Sequence, residues 1–138
     1  MKKLLSVSMA FLLLLALTAC SKKDDNVSST PESSVYNEET VKAELTAVVE
    51  QFDNYDFEPI FERMTPEMQE ALVDVGGVEV TWAPIAEQVG ALVEIEDIAM
   101  QESEGYMVSQ ALVKYENGEM VVQVTWDEDM KIAGLFFK

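Results

Sequence analysis

The sequence predicts an α+β fold, with N-terminal helices packed on one face of a curved, four-stranded antiparallel meander. Three observations predict it. The apolar period is helical from Asn37 to about Gly90. It becomes strand-like from residue 91 onward. The breaks between the strand-like runs are too short for the crossovers that parallel pairing needs.

The first helix follows from Val41, Leu45, Val48, Val49 and Phe52, which recur at i, i+4, i+7, i+8 and i+11 and form one apolar stripe. Asn37 is its expected N-cap, Glu38 and Glu39 suit the positive end of the dipole, and Tyr36 with Val41 has the spacing of a hydrophobic staple. Phe57, Ile60, Phe61 and Met64 suggest a short second helix. Thr65-Pro66-Glu67 opens a third, which should end before Gly76-Gly77. A fourth is expected from about Trp82 to Gly90, with Pro84 tolerated in its first turn.

Residues 91–100, 106–116, 119–126 and 130–137 are rich in Val, Ile, Met and aromatics and read as strands. Met120, Val122, Val124 and Trp126 alternate with Val121, Gln123 and Thr125, so that strand has one buried face. Asn117-Gly118 predicts a type I′ turn, Glu102 to Gly105 the first turn, and Asp127-Glu128-Asp129 the last. Gly134 inside an apolar strand points to a bulge or a close backbone approach.

Ahead of this domain (residues 38–138) stand two segments. Residues 1–19 pair Lys2 and Lys3 with an apolar run from Leu4 to Leu17, the pattern of a secretory leader and short of the roughly 20 residues of a spanning helix. Leu17-Thr18-Ala19-Cys20 resembles the lipobox of bacterial lipoproteins, which implies diacylglyceryl attachment to Cys20 and cleavage before it. With no other cysteine and no histidine, Cys20 lacks the partners of a catalytic or metal-binding thiol. Acyl chains of this kind, palmitate among them, would anchor the protein to the membrane. Residues 20–37 read as the lipidated cysteine and a polar, disordered tether. Eight lysines against one arginine point to an AT-rich, Gram-positive source, so the expected location is the outer face of the cell membrane.

Cleavage would leave 7 basic against 26 acidic residues, a net charge of −19. That excludes the basic patch of a nucleic-acid binder and the polybasic segment of a protein lying on anionic lipid. The missing histidine and phosphate-cradling glycine loop remove the usual catalytic constellations. Glu94 and Glu96 share one face of the first strand, with Asp97 next to them, but so many acids guarantee such pairs by chance. Asp53, Asp56 and Glu58, like Asp127, Glu128 and Asp129, lack the spacing of an EF-hand, so no metal and no cofactor is expected. Trp82, Tyr106, Tyr115 and Trp126 could line an aromatic pocket, although core packing accounts for them as well.

Phe57, Phe61 and Met64, the helix holding Trp82, and the Lys131-Ile132-Ala133-Gly134-Leu135-Phe136 ending together resemble an uncharacterised extracytoplasmic domain of bacterial lipoproteins. That family belongs to the nuclear-transport-factor-2-like, or cystatin-like, superfamily. The resemblance implies a curved sheet wrapped around helices with a conical pocket, and in some relatives a fusion to an α/β-type hydrolase. It carries over no catalytic residue, and a fold does not name a reaction.

Three function classes follow. The first is a non-catalytic, lipid-anchored envelope module that binds a small molecule, a peptide or a wall fragment. The second is a protein-interaction module, a homodimer through the outer sheet face with Val121, Gln123 and Thr125 exposed, or a contact with another envelope protein. The third is an enzyme or hydrolase-accessory domain that uses a carboxylate and a tyrosine, with Asp97 and Tyr106 as the pair.

Overall fold

The computed structural model describes residues 34–138. The leader at 1–19, the Leu17-Thr18-Ala19-Cys20 motif and most of the tether at 20–37 lie outside the described residues. The element order is α1 (Glu38–Asp53), α2 (Glu58–Glu62), α3 (Pro66–Asp74), α4 (Val78–Val89), β1 (Leu92–Ser103), β2 (Tyr106–Tyr115), β3 (Gly118–Trp126) and β4 (Ile132–Phe137). The sheet runs β1-β2-β3-β4, antiparallel throughout, so the expected α+β meander is the observed one. Residues 34–138 form a compact unit whose hydrophobic core is complete within itself.

The helical starts are set by their caps. The Asn37 side chain accepts a hydrogen bond from the Thr40 N–H at 3.0 Å, and Tyr36 and Val41 are both buried beside it. The five-residue stripe of α1 supplies all of that helix's buried residues. Thr65 Oγ1 accepts from Met68 N at 3.4 Å, with Pro66 at the first position of α3. α3 closes on Gly76 and Gly77, whose φ angles of 95° and 96° suit glycine.

Two local expectations are corrected. α4 begins at Val78, four residues before Trp82, and Pro84 stands inside the helix rather than in its first turn. Val78 and Trp82 are buried one turn apart, so core packing draws the earlier turn into the helix. The carbonyl that Pro84 leaves without its N–H partner belongs to Val80, which is exposed to solvent. The second correction concerns the turns. The β2–β3 hairpin closes on Tyr115–Gly118, so its loop residues are Glu116 and Asn117, and neither has positive φ. Their N–H groups donate to Ala91 O and Val89 O, and these bonds to the α4–β1 connection fix the loop. The type I′ signature falls instead on Glu104 (φ 53°) and Gly105 (φ 83°) between β1 and β2.

β1 is kinked by register shifts at Leu92/Glu94 and Ile95/Asp97, which leave Val93 and Glu96 as extra residues. The shifts explain why Leu92, Ile95 and Ile98, spaced by three, pack on the core together. β4 shifts register between Thr125 and Trp126, beside Gly134. A Cβ on Gly134 would lie 3.2 Å from the Phe136 ring and 3.3 Å from Thr125, so close approach accounts for the glycine.

Candidate functional site

The two tryptophans sit at opposite extremes of polar satisfaction. Trp126, at the end of β3, is 0 % exposed and donates its Nε1–H to Ser109 Oγ at 2.8 Å. Ser109 in turn donates to Val124 O at 3.2 Å. The Arg63 guanidinium lies 5.5 Å above the Trp126 ring and pairs with Glu44. The segment after α2 is stitched to β4 through Ile132 N to Arg63 O (2.8 Å) and Thr65 N to Ile132 O (2.9 Å).

Trp82, on α4, is 1 % exposed, and its Nε1–H has no partner among the described residues; neither has the Tyr115 hydroxyl. Their rings are 6.2 Å apart. Burial, with the Asp53 carboxylate adding to it, pushes the Tyr115 hydroxyl up to about 12. Trp82 also packs on Phe52 (5.1 Å) and Phe137 (5.2 Å), and behind those two rings the protein opens. The opening is an apolar cleft of about 300 Å³. Met68 and Leu72 of α3 form one wall, Val78, Thr81 and Ile85 of α4 another, and Leu135, Phe136 and Phe137 of β4 the third, with Phe52 at the base. α3 contains no fully buried residue: its apolar side faces this cleft.

The four aromatic candidates therefore do not share one wall. Trp82 and Tyr115 meet behind the cleft, Trp126 belongs to the satisfied cluster, and Tyr106 is 45 % exposed beside the hairpin turns. None of the four lines the cleft. Apart from Thr81, the residues that do are aliphatic, methionine and phenylalanine side chains, whose signal in the sequence is the unused apolar face of α3.

The acidic candidates have structural partners. Lys114 lies 3.5 Å from Glu94 and 3.9 Å from Glu96, both exposed or half-buried on β1. Asp53 Oδ1 accepts from Leu92 N at 2.8 Å and ties the end of α1 to the start of β1. Asp127 Oδ1 accepts from Asp129 N (3.0 Å) and Lys131 N (2.8 Å), which shapes the last turn. Asp97 pairs with Leu112 while Tyr106 pairs with Ser103, so the strand register keeps Asp97 and Tyr106 apart and overturns that catalytic pair. Among the described residues, no three acidic side chains converge as a metal-holding group.

A family model described as "Protein of unknown function (DUF3887)" matches residues 45–135. No curated protein matches the chain. A solved structure titled "NMR structure of protein from Ruminococcus gnavus ATCC 29149" aligns with a TM-score of 0.58 at 23 % identity, covering 74 % of this chain and 91 % of that one. At that identity the likeness is one of fold.

Proposed function

The chain belongs to the DUF3887 family of proteins of unknown function, and on that premise we propose that it is a lipid-anchored, extracytoplasmic binding module whose guest enters the cleft between α3, α4 and β4. One observation carries the reading: an open apolar cleft of about 300 Å³, at the lower end of the range for ligand sites, walled by a helix that buries nothing else fully. The Leu17-Thr18-Ala19-Cys20 motif supports the anchor on Cys20, and the preference for Lys over Arg supports a Gram-positive cell membrane. Helices followed by a curved meander, and the Lys131–Phe136 ending, support a place in the nuclear-transport-factor-2-like superfamily.

Native mass spectrometry of protein taken from its own envelope tests the binding. An adduct of a few hundred daltons that Leu72→Glu removes supports it. A clean apo mass, together with no uptake of the neutral dye Nile red, rejects it. Growth with an alkynyl fatty acid tests the anchor, and a labelled band that survives Cys20→Ala would overturn it.

A second reading, homodimerisation through the outer sheet face, is favoured by Phe136, 51 % exposed beside its partner Gln123 and next to Val121 and Thr125. Light scattering over a concentration series tests it; a monomer up to high micromolar protein excludes it.

A further inference from the structure

We propose that this cleft takes an extended peptide by strand addition to β4, with apolar side chains at alternate positions and Lys or Arg between them. The inference rests on the reading of the cleft as a binding site and names its guest. β4 is an edge of the sheet. Beyond β3, its backbone hydrogen bonds to the described residues are made only at its first residue, Ile132, with Arg63 and Thr65, after which the chain turns at Pro66 into α3, which packs beside β4 across the cleft. Val121 and Lys138 exchange both backbone hydrogen bonds, at 2.9 and 3.0 Å. Antiparallel pairs alternate between bonded and non-bonded, so Val122/Phe137 and Val124/Leu135 are the non-bonded pairs. The N–H and C=O of Leu135 and Phe137 therefore turn away from β3, towards the open edge. The cleft touches Leu135 and Phe137 on the core face and Phe136 on the outer face, so it runs along that edge.

A row of free donors and acceptors at two-residue spacing, beside an apolar groove, is the recognition surface of an added strand. The opposite edge of the sheet is defended differently. β1 carries Glu94, Glu96, Asp97 and Glu102 and two register shifts, the features that discourage edge pairing. From Gly134 to Phe137, β4 carries no charge at all. Electrostatics select the guest: α3 and α4 present Glu67, Glu70, Asp74, Glu79 and Glu87 to solvent and contain no basic residue.

The test uses residues 34–138, which hold their own core, in isothermal calorimetry with acetyl-Lys-Val-Lys-Val-Lys-Val-Lys-amide. The same peptide N-methylated at its valine amides keeps charge and side chains but loses the main-chain donors. Strand addition predicts micromolar binding, weakened about tenfold or more by N-methylation as two main-chain bonds are lost. Leu135→Pro, which removes an outward N–H that an edge strand can spare, should weaken the parent peptide in the same way. Equal binding of both peptides reduces the contact to charge attraction and overturns the proposal. If the peptide gives no heat but Nile red enters the wild type and not Leu72→Glu, strand addition falls and the cleft reading stands. If neither binds, both fall. A dimer in sedimentation velocity that Leu135→Pro abolishes would assign the edge to a second copy and overturn the peptide.

Discussion

The end of the domain around Trp126 and the end around Trp82 are built from the same materials and finished differently. Each centres on a tryptophan buried to within 1 %. At the first, every polar group of the cluster finds a partner: indole to Ser109, Ser109 to Val124, Arg63 to Glu44 and over the ring. At the second, the indole N–H and the neighbouring Tyr115 hydroxyl find no partner among the described residues, and a cleft opens beyond Phe52 and Phe137. An unpaired buried donor costs roughly 1–3 kcal/mol. Stability is concentrated where the polar network closes, and room for a guest is left where it does not.

The sharpest way to break this comparison starts at the closed end. Trp126→Ala should cost about 3–5 kcal/mol in denaturant unfolding, since it empties a fully buried tryptophan site. A loss below about 1 kcal/mol would mean that the cluster is not the stability centre. Gly134→Val comes next, at about 1–3 kcal/mol, because its side chain would press on Thr125 beside Trp126. A melting temperature within a degree of wild type would contradict the close approach. A paired replacement then compares the two ends directly. Trp126→Phe strips Ser109 of its donor while Trp82→Phe removes an unpaired one, so the first should cost about 1 kcal/mol more than the second. Equal losses would erase the distinction.

The smallest effect has the opposite sign. Tyr115→Phe removes a buried hydroxyl without a partner and should stabilise by up to about 1 kcal/mol at neutral pH. It should also change the alkaline limb. The folded protein holds the Tyr115 proton to about 12, whereas the unfolded chain releases it near the ordinary tyrosine value of 10.0. The unfolded state therefore binds fewer protons across that window, so stability is complete below pH 10 and falls towards pH 12. Thermal melts at pH 9 and pH 11 should show a smaller drop for Tyr115→Phe than for wild type.

Much of the fold was legible because local chemistry decided it. Asn37, Thr65-Pro66 and the Gly76-Gly77 pair mark helix ends by capping, and the alternation from Met120 to Trp126 orients β3. The failures come where tertiary contacts outvote local preference. Pro84 argued for a late start to α4, but burial of Val78 extends the helix past it. Asn117-Gly118 has the better hairpin composition, yet bonds from the α4–β1 connection shift that loop and leave the positive-φ pair to Glu104-Gly105. The three-residue spacing of Leu92, Ile95 and Ile98 did carry a readable signal of irregular register. The cleft left one trace in the sequence, the apolar face of α3, and its lining was not legible beyond that. Nothing in the order of residues tells which tryptophan will find a partner for its N–H, or that Met68 and Leu72 face open space.

The start of the domain has a mechanical consequence. The Tyr36 hydroxyl reaches Gly105 O at 2.6 Å and Trp126 O at 3.3 Å, carbonyls from two separate hairpins, and Ser34 Oγ donates to Glu102 at 2.8 Å. Tension drawn through residue 34 would thus reach the rims of two hairpins at once, with Tyr36 placed as a latch ahead of α1.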